Sequence, residues 1–191
     1  MIYTTLNRIR EHNPCADGWR KLLKYLGKND PYAPLAYSTI LESNGLDDAL
    51  WCLRAEPQHA SIWRMYAVRC ARRVQHLMKD ERSLQALDVA ERHARGAAKD
   101  SELTAAWAAA LDAAWTTRDA AWDAAWAAAW AAALDAAWDA ALDAAWAATN
   151  AVGDTARAEQ TADFRAMLAA HHAMPLESCA LVDWWQGESN D

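Results

Sequence analysis

Three sets of side chains in this sequence could do chemistry. The first is a row of tryptophans, among which Trp115 and Trp122 flank the one cation of their stretch, Arg118. An indole face stacks on a nucleobase with on the order of 1–3 kcal/mol per base. Arg69, Arg72 and Arg73, approaching from a packed helix, would supply phosphate contacts. That pairing describes a sponge for a nucleotide, including a cyclic nucleotide signal. The second set is Asp112, Asp119, Asp123, Asp135, Asp139 and Asp143, a spiral of carboxylates beside the large residues. Such a row offers an acidic surface to a protein partner, or mimics a phosphate backbone toward a basic channel. Its plainer uses are to keep an apolar helix in solution and to pair internally with the arginines between Arg64 and Arg82. The third set is negative in content. His93 and the His171-His172 pair lack HExxH spacing, and Cys15, Cys52, Cys70 and Cys179 lack CxxC spacing. No metal site is therefore expected, and the thiols read as reduced. Asp47 and Asp48 are neighbours and do not face one another on a helix, so helix capping explains Asp47 better than acid–base work. A phosphate loop, a nucleophile elbow and a Gly-rich dinucleotide turn are all missing from the sequence, so no cofactor and no enzymatic activity are expected.

The element that must position these groups runs from Leu103 to Trp146, where Trp or Leu recurs nearly every fourth residue in the pattern [Trp/Leu]-[Ala/Asp]-Ala-Ala. Alanine is the strongest helix former, and neither Gly nor Pro interrupts the stretch, so it reads as α-helix. Trp115-Thr116-Thr117 is one residue short and resets the phase, which leaves Arg118 where a large apolar residue belongs. A four-residue period advances the large side chain by about 40° per unit around a helix of 3.6 residues per turn. Over the whole stretch the stripe winds almost once around a straight rod, and each Trp brings on the order of 200 Å² to be covered. Three arrangements satisfy this. The N-terminal helices wrap the rod, two chains coil together as a homodimer, or the stretch breaks near Thr116-Thr117 into a hairpin. The first two are preferred, because a hairpin normally advertises its turn with Gly, Pro or Asn.

The rest of the chain reads as short helices joined by turns. Met1 to His12 makes a helix ending before Asn13-Pro14, and Asp17 caps a second from Gly18 to Leu26. A third ends at Asn44-Gly45, and Asp47 caps a fourth from Asp48 to Arg54. Ala60 to Lys79 is the longest conventional amphipathic helix, followed by Ser83 to Ala94; beyond the repeat, Asp154 caps a last helix to about His171. A tail from Pro175, with Leu181, Val182, Trp184 and Trp185, reads as a docking clamp. Charge is divided unevenly. Residues 1–100 hold 16 Lys/Arg against 12 Asp/Glu, net +4, and residues 101–191 hold 3 against 14, net −11. An acidic second half argues against nonspecific nucleic-acid binding. Neither a signal peptide nor an apolar span long enough to cross a membrane is recognisable, so a soluble, cytoplasmic protein is expected.

The segment SNGLDDALWCLRA (Ser43–Ala55), the segment YAVRCARRVQHLMKDERSLQALDVAERHARG (Tyr66–Gly96) and the Ala/Trp repeats resemble a family of bacterial and phage immunity proteins with an Imm-5-like domain. The resemblance covers roughly Asp17 to Phe164. It implies a small intracellular protein of microbial conflict that neutralises a toxin or, on a phage, counters a host defence complex; it supplies no catalytic residues.

The expected fold is all-α: an N-terminal helical domain over 1–100, with its Imm-5-like core at about 43–100, a long Ala/Trp/Asp repeat helix over 101–150, and a C-terminal return helix and tail over 151–191. The expected function is stoichiometric binding of a protein partner through the acidic repeat surface. The nucleotide sponge is the alternative, and a DNA mimic or an oligomeric scaffold follows.

Overall fold

The computed structural model describes residues 2–116, 120–132, 137–153 and 155–171, and of residues 120 and 138 the backbone alone. The chain is all-α, with one short antiparallel pairing of β1 (Tyr3–Thr4) and β2 (Leu35–Ala36), in which Tyr3 faces Ala36 and Thr4 faces Leu35. It divides into two compact units, Met1–Pro57, Arg165–Asp191 and Gln58–Phe164. No described helix is long and apolar enough to cross a membrane.

In the first unit β1 replaces the beginning of the expected first helix. The Thr5 hydroxyl accepts from Arg8 N at 3.2 Å and so caps α1 (Leu6–Glu11) one residue after the strand. Cys15, rather than Asp17, caps α2 (Ala16–Leu26), its Sγ accepting from Gly18 N at 3.3 Å. Helix α3 (Tyr37–Asn44) ends at Gly45, whose φ of 94° only glycine adopts readily; the same residue is the N-cap of α4 (Leu46–Trp51), which displaces the expected cap at Asp47. A 3-10 turn, Cys52–Ala55, continues α4. The core holds Leu6, Ile9, Leu22, Tyr37, Ile40, Leu50 and Leu53. Two buried polar side chains find partners inside it. Tyr37 Oη donates to the Cys52 carbonyl at 2.7 Å, and the Glu56 carboxylate meets Arg8 at 2.7 Å.

The second unit is built on α5 (Ala60–Arg73), which is shorter than the sequence pattern suggests because the chain tightens into a 3-10 turn at Gln75–Leu77. Nine of its residues are buried, from Ile62 to Val68 and then Cys70 and Ala71, so it is covered on nearly every side. Around it stand α6 (Glu81–Ala94), capped by the Asp80 carboxylate on Arg82 N, then α7 (Asp100–Trp115), α8 (Ala120–Ala131), α9 (Ala137–Val152) and the start of α10 (Thr155–Ala170). Lys99 is the N-cap of α7, and Glu102 accepts from its backbone N–H at 3.0 Å. The expected cap of α10, Asp154, lies outside the described residues.

The repeat is therefore three helices among the described residues, α7, α8 and α9, and not one rod. Helix α8 packs on both of its repeat neighbours, and α9 also packs on α5. The first break falls at the phase reset: Thr116 closes α7, its backbone N–H donating to the Ala113 carbonyl at 3.1 Å and its hydroxyl to the same oxygen at 2.8 Å. The second follows Ala132, inside a tetrapeptide no different from the others, so tertiary contact decides it. Arg64 Nη1, from α5, donates to the carbonyl of Ala131, the last residue of α8, at 3.2 Å. The contact surfaces are alanine. Ala113, Ala114, Ala124, Ala128, Ala141 and Ala144 are fully buried. Methyl-on-methyl contact lets helix axes come as close as the lower end of the roughly 8–10 Å range, and each buried methyl contributes about 0.8 kcal/mol.

Candidate binding site

Small residues at the helix contacts push the large ones to the rim. Trp115, at the last position of α7, is 73% exposed, Trp146 on α9 60% and Trp122 on α8 40%. The expectation that N-terminal helices wrap the indoles fails for these three: α5 and α6 pack against the repeat helices and leave them exposed. The four-residue period is the reason. A helix places i and i+4 about 40° apart, so a contiguous alanine stripe necessarily runs beside a contiguous Trp/Leu/Asp stripe, and one of the two must face out.

Two of these three, Trp115 and Trp122, belong to a cluster of indoles. Trp126 is its hub, edge-to-face with Trp115 (centroids 5.7 Å, 75°) and with Trp122 (5.8 Å, 68°), and stacked on Trp130 (5.8 Å, 30°). Edge-to-face and offset pairs are worth about 0.5–1.5 kcal/mol each beyond area burial, which fixes ring orientation without covering the outer rings. The Trp126 indole N–H is buried and finds no acceptor among the described residues. Sequence reasoning singled out Trp115 and Trp122 and missed Trp126 and Trp130, which orient them; the i, i+4 spacing of 122, 126 and 130 was the available signal.

The six candidate aspartates divide by environment. Asp112 is exposed and ion-paired with Arg82, so it serves an internal contact. Asp123, on α8 beside the indole cluster in sequence, and Asp143, on α9, are half-buried and have no cation within pairing distance among the described residues. Desolvation raises both carboxyls above the ordinary aspartate range. Asp139 is half-buried on α9. Asp119 and Asp135 lie outside the described residues, as does Arg118, the cation expected inside the repeat.

The three arginines proposed as phosphate ligands are engaged by carboxylates. Arg73 binds Asp163 with Nε at 2.6 Å and Nη2 at 2.8 Å, and Glu159 with Nη1 at 2.9 Å. Arg69 Nε lies 3.5 Å from the same Asp163, and Arg72 pairs with Asp88 and Glu91. They tie α5 to α10 and to α6 and are not gathered at the indoles. Burial pushes the Cys52 and Cys70 thiols up to about 12, so neither offers a thiolate near neutral pH.

Fold and site together define an all-α protein whose repeat helices present an outward aromatic and acidic face. No protein-family model, curated protein or solved structure matches the chain, so the resemblance to the immunity proteins rests on the two quoted segments and the repeat alone.

Proposed function

We propose that the chain is a non-enzymatic binding protein that neutralises a protein partner by stoichiometric association through the exposed tryptophans and the carboxylates of its repeat helices. The observation that carries the reading is that the repeat helices hold both exposed indoles and the carboxylates Asp123 and Asp143, which have no cation within pairing distance among the described residues. Indoles supply the large, rigid anchors that dominate interfaces, and unpaired carboxylates ask for a cation. The complementary surface is one that presents Arg or Lys, for which ring faces give cation–π contact and the carboxylates ion pairs. In the setting implied by the family resemblance, that partner is a toxin or a host defence complex, met in the cytoplasm.

The nucleotide sponge keeps the exposed indoles, but among the described residues Arg72 and Arg73, which it would use for phosphate, are held by Asp88, Glu91, Glu159 and Asp163. One experiment separates the two readings. Tagged wild-type chain and an Asp123→Lys/Asp143→Lys variant are used as bait at low and high salt, and bound proteins and heat-released small molecules are identified by mass spectrometry. The binding reading requires a protein held by the wild type, released by salt and absent from the variant. The same proteins on both baits would overturn it, and a released nucleotide without a protein would put the sponge in its place.

A further inference from the structure

The first unit contains a cleft of about 100 Å³ lined by Ile9, Leu22, Ile40, Trp19, Trp51 and, at its polar end, Asp48, with Pro14, Cys15, Gly18, Asn44 and Cys52 completing the wall. The polar end is built rather than incidental. Asp48 Oδ2 accepts from Asn44 Nδ2 at 2.7 Å; the same amide donates to the Gly18 carbonyl at 2.8 Å, and the Ser43 hydroxyl donates to Asn44 Oδ1 at 2.8 Å. Asn44 is thereby fixed from three sides and orients the carboxylate. A Cβ on Gly18 would lie 2.8 Å from Asp48 Oδ2 and 3.1 Å from Cys15 Sγ, so the absence of a side chain at position 18 is what lets the carboxylate sit there.

That carboxylate has one amide as its partner and no cation within pairing distance among the described residues. The two nearby cations are employed elsewhere: Lys21 Nζ donates to the Asn44 carbonyl at 3.2 Å, and the Arg54 guanidinium lies 4.1 Å from the Trp51 ring centroid, with its Nε on the Trp51 carbonyl. An apolar cleft with two indoles in its wall and an oriented, uncompensated carboxylate at one end has the complementarity of a cation joined to an apolar body. A neutral apolar molecule would leave the carboxylate without a counter-charge, and an anion would be repelled by it.

We propose that this cleft is a binding site for a small organic ammonium ion, its alkyl or aryl group between Trp19, Trp51 and Leu22 and its N–H groups on Asp48. The site uses none of the repeat face and stands or falls independently of the partner-binding reading.

The test is titration of the full chain with benzylammonium, followed by calorimetry and by the indole N–H signals of Trp19 and Trp51. Saturable binding with Kd of about 1 mM or tighter is expected, with benzyl alcohol, the neutral analogue of the same shape, weaker by about tenfold or more. Asp48→Asn should lose about tenfold in affinity for benzylammonium and little for benzyl alcohol. Gly18→Ala is the second variant. It sits at ordinary helical φ in α2, and its Cβ presses on the ends of the Asp48 and Cys15 side chains, so it should weaken benzylammonium as well, with circular dichroism checking that the fold is kept. Nα-acetyl-lysine amide serves as a third ligand. Binding as tight as that of benzylammonium assigns the site to a protein's lysine side chain, and weaker binding assigns it to a free amine, both upholding a cation site. The proposal is overturned if benzylammonium does not saturate, if benzyl alcohol binds equally well, if both variants bind as the wild type does, or if the Trp19 and Trp51 signals do not move.

Discussion

At the scale of residues, Trp126 sets the geometry of the indole cluster while its buried N–H has no acceptor among the described residues. Leaving a buried donor unmade costs about 1–3 kcal/mol, so the position is costly as well as useful. Trp126→Phe, which keeps a ring and removes the donor, should leave stability within about 1 kcal/mol of wild type or raise it, whereas Trp126→Ala should lose about 3 kcal/mol; urea denaturation monitored by circular dichroism reads both. Asp143 has the same mixed character. Its carboxyl is raised above its unfolded value, so its contribution favours the fold below the ordinary aspartate pKa and is lost as pH rises through the folded pKa. Asp143→Asn should therefore melt about 2 °C higher than wild type at pH 7, with the advantage shrinking as pH falls through the aspartate range. A residue whose neutralisation strengthens the fold and weakens partner capture is one kept for capture. Equal or lower melting temperature at pH 7 would remove that argument.

At the scale of elements, identical alanines have unequal weight, and their position alone decides it. Ala128 on α8 is fully buried while Ala108 on α7 is exposed. Ala128→Leu should cost about 1–3 kcal/mol or more by forcing helices apart, and Ala108→Leu should stay within about 0.5 kcal/mol of wild type. Arg64 is the matching polar case. Desolvation pushes its guanidinium down to about 10, and it is only 4% exposed, yet it closes the end of α8 through the Ala131 carbonyl. Arg64→Ala should lose about 2–4 kcal/mol, since it leaves both a void and a carbonyl without its donor. Much of this level was legible in the sequence. Alanine content marked α7 to α9 as helix, Gly45 marked the end of α3, and apolar spacing marked α5 and α6. The break near Thr116 was visible as a phase reset, but the preference for a rod came from expecting a glycine or proline turn. The break after Ala132 was not legible at all, because the residue that secures it, Arg64, lies 67 positions earlier. Nor did charge counting reveal that Arg69, Arg72 and Arg73 are spoken for, because their carboxylate partners on α6 and α10 are set by packing. The Asp48 cleft escaped for a similar reason: adjacency of Asp47 and Asp48 drew the eye, whereas Asn44, one turn earlier, and Gly18, on another helix, make the site.

At the scale of the whole molecule, net charge and exposed indoles pull in opposite directions. Two copies of a chain carrying −7 repel, while their Trp115, Trp122 and Trp146 rings favour contact. Self-association, if it uses the indoles, should strengthen as salt rises from about 0.05 to 0.5 M, because screening removes the repulsion and leaves apolar contact intact. Capture of a basic partner should weaken over the same range. Sedimentation equilibrium with wild type and Trp115→Ala measures the first; a chain that stays monomeric throughout would exclude the homodimer. The alanine contacts between α7, α8 and α9 carry one more consequence. A helix made of near-identical four-residue units meets much the same methyl surface if it slides along its neighbour by one unit, so apolar burial alone scarcely distinguishes the native register from a slipped one. Directional bonds have to choose: Arg64 on the Ala131 carbonyl, Arg82 on Asp112, and the buried Gln160 amide donating to the Ala145 carbonyl at 2.8 Å each fit a single alignment. In this chain the apolar residues make the helices adhere, and a handful of long polar side chains tell them where to stop.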